Sequence, residues 1–523
     1  MSLLHGTTSR HLSAVTRWAL ISVIVAAMLG WWWPSLRAWA ALIGGLMVVF
    51  TFWLAWRITL GDRRVNAHPM YLALLGPAAV LAWHTAQSGM TRLPPGQASL
   101  YGGLDISMLF QISLAVLGLL LSGSLLDRFV HNPVIPLLIG LAMVIGPAAG
   151  AVGALGRGCL AGQSLALLAW AGLAVLLQTR WNALYGETLR ETEPRQRRRM
   201  ALAVWALAAA IGLLFIVLLP RPAVLAAMLA GGTLLLAGLI LPARRKITLG
   251  IGLALLVGTI AAATVAPPSW PALLQGVPTT LGQGEQAARE VYSLSGAAAI
   301  LAAATGWVGF AWMAIGAVGS LVVLLWRART AAVQVQTRCS VWAVAVVLAS
   351  AAACAPGGLS IPAVTLAAAV LWGLLPRMAA REGRLLPGVL VMLGLCAVLL
   401  AMGLVRDPGL LEYAWLAFGL DPNVLHAPTG FFVALCAAWI TGARRVWLGL
   451  LGVAAVAAVG WGGEMLQSSF STRRYAELQD WYLHIAGCML ALIPYLLAMG
   501  SRLCELEPLP ESVLRRLRKK QQM

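Results

Sequence analysis

Ionisable side chains are scarce in this chain. Asp and Glu number 18 and Lys and Arg 37 among 523 residues, so 11% are charged, against about a quarter in an ordinary soluble domain. With 60% hydrophobic residues and a mean hydropathy of +0.84, that deficit excludes a water-soluble globular protein. Cysteine is sparse too: Cys159, Cys339, Cys354, Cys396, Cys436, Cys488 and Cys504 fall mostly within or beside apolar runs. No CxxC pair and no metal-ligand spacing links them, so they read as small buried hydrophobes. Walker A, GxSxG and HExxH motifs are missing, as is a GxGxxG following a strand. ATP-driven transport, dinucleotide chemistry and ordinary hydrolase chemistry therefore have no support, and no cofactor is expected. Mid-span charges are nearly absent and no internal repeat stands out, which weakens a transporter reading.

What is present is apolar sequence of membrane-crossing length. Runs of about 17 to 23 residues recur along nearly the whole chain, whereas the alternating ten-residue strands of an outer-membrane barrel do not. The fold class is thus all-α, a polytopic membrane bundle of about sixteen spans. The formal charge of +19 is spread over short loops and the C-terminal tail Arg515 to Lys520, the pattern of the positive-inside rule; nucleic acid is not an expected partner. The first run, from Trp18, passes through Trp31-Trp32-Trp33-Pro34 into another run without a small-residue cleavage site, and so reads as the first span and not as a signal peptide.

Alternation of the runs sets a topology. Basic groups at Arg63/Arg64, Arg128, Arg195 to Arg199, Arg244 to Lys246, Arg327 to Arg338, Arg377 to Arg384, Arg444/Arg445 and Arg502 onward fall on one side. That side is cytoplasmic by the charge rule, together with both termini, in a cytoplasmic (inner) membrane. Residues 1–400 then form an N-terminal bundle, 401–500 a C-terminal unit and 501–523 a basic tail. The 22 tryptophans read mainly as headgroup-level belts, and His68, His84 and His131, near span ends, as interfacial anchors.

One stretch, Gly462 to Gly487, gathers ionisable groups between two apolar runs. Glu464 and Gln467 lie one turn apart at the end of one run. Asp480, His484 and Gly487 share a stripe at the start of the next, with Arg473 and Arg474 between. The connection falls on the outer side in spite of its two arginines, which Glu464, Glu477 and Asp480 can neutralise locally. Five of the 18 acidic residues lie between Glu412 and Asp480, and all map to that face. Asp480 and His484 could share a metal with Glu464 by side-chain type, but without a second histidine or a cysteine ligand no metal centre is expected. His426 and His484 are a pair that could titrate together.

The pattern Glu464-x-x-Gln467, Arg474, Asp480-x-x-x-His484-x-x-Gly487, preceded by Asp421 and His426, resembles the VanZ-like family over about residues 410–500. In that family a Glu-x-x-Gln helix end, an Arg six residues before an Asp, and Asp-x-x-x-Asn-x-x-Gly opening the next helix recur. Here His484 stands in the place of the Asn, and the Asp421–His426 gap is one residue longer. The family is named for a protein that lowers sensitivity to a glycopeptide antibiotic, so the resemblance implies a part in envelope biogenesis. A second stretch, Gln286 to Val323, is similar to O-antigen ligase and polymerase proteins, where an outer loop precedes an interfacial helix; there Arg289 and its neighbour Glu290 become secondary site residues.

Two main readings follow. In the first, the outer-face cluster of Glu464, Gln467, Arg473, Arg474, Asp480, His484, Asp421 and His426 binds a polar group, with membrane lipids, a lipid-linked glycan or a peptidoglycan precursor as partners. The arginine pair suits phosphate, and a carboxylate could serve as a general base. In the second, the chain is a transferase acting on a polyprenyl-linked glycan; a transporter is third. Whether the chain is an enzyme at all stays open, because the same cluster could be a salt-bridged latch pinning helix ends together.

Overall fold

The computed structural model describes residues 7–30, 36–66, 68–90, 112, 114–126, 134–155, 164–165, 167–176, 297–328, 333–354, 361–378, 385–387, 426–442, 445–470 and 478–506. They are almost entirely helical. In chain order the helices are α1 (Thr7–Gly30), α2 (Leu36–Leu60), α3 (Met70–Met90), α4 (Leu114–Leu125), α5 (Val134–Leu155), α6 (Leu167–Leu176), α7 (Ala297–Ala328), α8 (Val333–Cys354), α9 (Pro362–Met378), α10 (His426–Gly442), α11 (Val446–Phe470) and α12 (Leu478–Leu506). A short ribbon pairs β1 (Arg64–Asn66) with β2 (Leu385–Pro387) antiparallel, Val65 opposite Leu386.

Four segments are long and apolar enough to cross a membrane: His11–Gly30, Ala41–Leu60, Val446–Met465 and Leu478–Leu503. At 1.5 Å per residue, about 20 residues match a hydrocarbon core of about 30 Å. The chain is therefore an integral membrane protein. The remaining apolar helical segments are shorter, among them Met70–Leu81, Ala311–Leu324 and Ala363–Leu375. Apolar runs that the sequence also shows at 201–219, 223–241 and 247–265, the run 387–405 beyond its first residue, the loop 267–293 and the tail from 507 lie outside the described residues. The expected boundary at 501 falls inside α12, which continues as helix through Leu506.

Helix α2 joins the two ends of the chain. It packs on α1 and α9 in the N-terminal part and on α10 and α12 in the C-terminal part. Its buried face is aromatic: Phe50 stacks on Phe432 at 4.7 Å, and Trp53 meets Trp439 edge-on at 5.5 Å. The C-terminal end of α2 closes in a Schellman motif, with Gly61 N–H donating to Ile58 O (2.9 Å) and Asp62 N–H to Arg57 O (3.1 Å). Gly61 sits at φ 64°, and a Cβ there would also run into the Arg502 guanidinium of α12. Arg63 donates to Thr441 O (2.9 Å), and Trp439 Nε1 donates to Asp62 O (2.9 Å).

These contacts bring the C-terminal ends of α2, α10 and α12 to one end of the bundle. Arg17, in the first half of α1, reaches the end of α4 by donating from Nε to Leu125 O at 2.8 Å. The basic residues Arg57, Arg63, Arg445 and Arg502 thus gather at one end, and the start of α10, the end of α11 and the start of α12 lie at the other.

Two buried polar groups lock the basic end. The fully buried Tyr495 of α12 turns its hydroxyl to the α10–α11 junction, where its proton is shared among Gly442 O (3.1 Å), Val446 O (3.1 Å) and Arg445 O (3.5 Å). His68, expected at the interface, is instead buried between β1 and α3. Its Nδ1 accepts from Met70 N–H at 3.0 Å, so Nε2 carries the proton and donates to Trp372 O at 2.9 Å. Only the neutral ring satisfies both partners, and burial pushes His68 from 6.5 down to about 4.

Because the folded chain holds His68 neutral, its contribution to stability is complete above pH 6.5 and is lost as pH falls from there toward 4. Between pH 7.5 and 5 the detergent-solubilised protein should lose about 2 kcal/mol from this group. His68→Gln should flatten that part of the thermal-unfolding pH profile. Tyr495→Phe should lower stability by about 1 kcal/mol at all pH values, read by thermal unfolding of the same preparation.

Candidate functional site

Three helices end in one polar cluster. Asp480 is the third residue of α12, where a carboxylate complements the helix dipole. Glu464 lies near the end of α11 and His426 opens α10. His426 Nδ1 is 3.5 Å from Glu464 Oε1, and Nε2 is 3.5 Å from Asp480 Oδ2. The imidazole therefore stands between the two carboxylates, touching one with each ring nitrogen. Both carboxylates are buried, with relative exposures of 5% for Glu464 and 9% for Asp480, while a quarter of the His426 side chain remains open.

Packing without side chains brings these ends together. A Cβ on Gly487 would collide with Ala427 O and Phe431 N of α10, and one on Gly430 would collide with His484 O of α12. The α10 and α12 backbones thus touch at two points, the small-residue contact expected between helices in lipid. Asp480 sits two turns above Gly487 on the same stripe, so the close crossing carries it to His426. Beside the cluster, Trp481 donates from Nε1 to Ala457 O at 3.0 Å and its ring lies 5.3 Å from that of Trp461. With the exposed Tyr482, they form the amphipathic aromatic fringe typical of the membrane surface.

The sequence-derived site residues divide. His426, Glu464 and Asp480 meet. His484 does not join them: its ring covers Gly460, and Nε2 lies 3.3 Å from Val456 O, so it fills the seam between α11 and α12. The ligand-type grouping with Glu464 and Asp480 accordingly uses His426, in the place where spacing alone suggested His484. Gln467 lies in α11 one turn beyond Glu464, and its side chain is outside the described ones. Arg473, Arg474, Asp421, Arg289 and Glu290 lie outside the described residues.

Chemically, an imidazolium at this position bridges both carboxylates and pins three helix ends. A neutral imidazole offers a nitrogen donor beside two oxygen donors. Comparison of the chain with known protein families, with curated proteins and with solved structures finds no match.

Since the cluster depends on the α10–α12 approach, Gly487→Ala should force the helices apart and cost about 1–3 kcal/mol, the range for overpacking. Gly462, in the same region but with open space at its Cβ position, is the control. Gly462→Ala should leave the unfolding temperature unchanged or slightly raised.

Proposed function

We propose that this chain is a multi-pass protein of the cytoplasmic membrane, with about sixteen spans and both termini in the cytoplasm. Its part from 401 to 500 acts as a VanZ-like unit that contacts a lipid-linked or glycan group at the outer leaflet, in a binding or accessory role in envelope biogenesis. The observation that carries this reading is the convergence of His426, Glu464 and Asp480 at the end of the bundle opposite Arg57, Arg63, Arg445 and Arg502. Under the positive-inside rule the basic end is cytoplasmic, and the cluster then faces outward.

Two further features support it. Trp461, Trp481 and Tyr482 lie beside the cluster, residue types that favour headgroup level, where a polar lipid group is within reach. Arg473 and Arg474, in the connection from α11 to α12, supply guanidinium groups suited to phosphate.

Topology and binding are tested together. In intact cells Ser469→Cys should react with a membrane-impermeant thiol reagent and Leu503→Cys should not; the reverse result would overturn the orientation. Purified full-length protein in nanodiscs should retain polyprenyl diphosphate in preference to phosphatidylglycerol. Arg474→Ala should weaken that retention about tenfold or more, the loss expected for one charge-assisted contact, and Arg289→Ala should not. Equal retention of both lipids would sink the binding reading. Loss with Arg289→Ala alone would transfer the site to the ligase-like transferase reading.

A further inference from the structure

Among the described residues, one group has the composition of a metal site. His426, Glu464 and Asp480 each present a ligand atom, and these atoms lie within 4.8 Å of one another. They come from three different helices, and the backbone contacts at Gly430 and Gly487 hold the two that carry His426 and Asp480. We propose that they form a binding site for a divalent first-row cation, zinc in particular.

The donor set, its grouping and its burial carry the argument. Both nitrogen–oxygen separations are 3.5 Å, longer than the about 2.7–2.9 Å of a charge-assisted hydrogen bond. Two donors each about 2.0–2.1 Å from a tetrahedral zinc stand about 3.4 Å apart, so whichever ring nitrogen of His426 takes the ion already stands at ligand spacing from one carboxylate; the second carboxylate, which faces the other nitrogen, turns onto the same ion from within the 4.8 Å grouping. One imidazole nitrogen and two carboxylate oxygens are a donor set suited to zinc. Three protein ligands leave a fourth position for water or an anionic oxygen, the arrangement of an open site and not of a closed structural one. Burial of Glu464 and Asp480 adds to the case, because electrostatic attraction for a dication is far less screened there than at an exposed acidic patch. A quarter-exposed His426 leaves a path for the ion to enter.

This inference does not rest on the lipid reading and is tested apart from it, without lipid ligand. Full-length protein in detergent is stripped with a chelator, dialysed, and titrated with Zn²⁺ by calorimetry. The expected result is saturable uptake of one Zn²⁺ per chain, together with a Zn²⁺-dependent rise in the unfolding temperature. His426→Gln, Glu464→Gln and Asp480→Asn should each weaken uptake by at least about ten- to a hundredfold, since loss of a mere supporting residue already costs that much. They should also abolish the temperature shift.

Absence of saturable uptake by the native chain would overturn the proposal. So would uptake that persists unchanged when all three substitutions are combined, which would assign the ion to cysteine or other histidine side chains. If a variant fails to fold, the native chain's own thermal shift with Zn²⁺ still decides. No shift at saturating Zn²⁺ would leave the three residues as an imidazolium latch. Polyprenyl diphosphate retention measured in chelator reports separately on the proposed function.

Discussion

The backbone contact between α10 and α12 is the constraint on which the C-terminal part depends. In a bilayer the hydrophobic effect does not drive helices together, because lipid tails are as apolar as leucine; close packing must do so. Gly487 against Ala427 and Phe431, and Gly430 against the His484 carbonyl, let two helices touch along their main chains. This approach sets Asp480 against His426, while the bare Gly460 of α11 leaves room for the His484 ring. Farther along α12, Tyr495 reaches the α10–α11 junction.

The same three-helix unit is anchored at its opposite end by polar groups. Tyr495 donates to the carbonyl of Gly442, the last residue of α10. Arg63 and Trp439 bind α10 to the chain just after α2, and Arg502 covers Gly61. The unit therefore has a basic end and a site end about one membrane thickness apart, joined by apolar helix. Rigid anchoring of one end allows the other to hold three ionisable side chains in fixed relation.

Much of the fold could be read from the residues, for a physical reason. Membrane helices must satisfy their own backbone hydrogen bonds, so a run of about 20 apolar residues has few alternatives to helix. In the sequence, apolar runs begin at Leu36, Met70 and Val446, and α2, α3 and α11 start at those residues. The stripe of Asp480, His484 and Gly487 was equally legible, because it depends only on helical period. What spacing could not show was the partner of Asp480. His484 is four residues away and on the same stripe, but the helix crossing turns it into the α11 seam. His426, 54 positions earlier in the sequence, is carried to Asp480 by a contact between two glycine-bearing surfaces that no local pattern encodes. The burial of His68 was missed for a similar reason: Trp372 O, its hydrogen-bond partner, is 304 residues distant.

That long separation also shapes how the protein is made. The aromatic face of α2, with Phe50 and Trp53, meets partners near Phe432 and Trp439, and Asp62 waits for a residue 377 positions later. At synthesis rates of about 5–20 residues per second, α2 is in place for about 20–75 seconds before its last neighbours exist. In water such a face would be an aggregation hazard. In the bilayer, lipid chains cover it until α10 and α12 arrive, so the membrane serves as a temporary partner that the last helices displace.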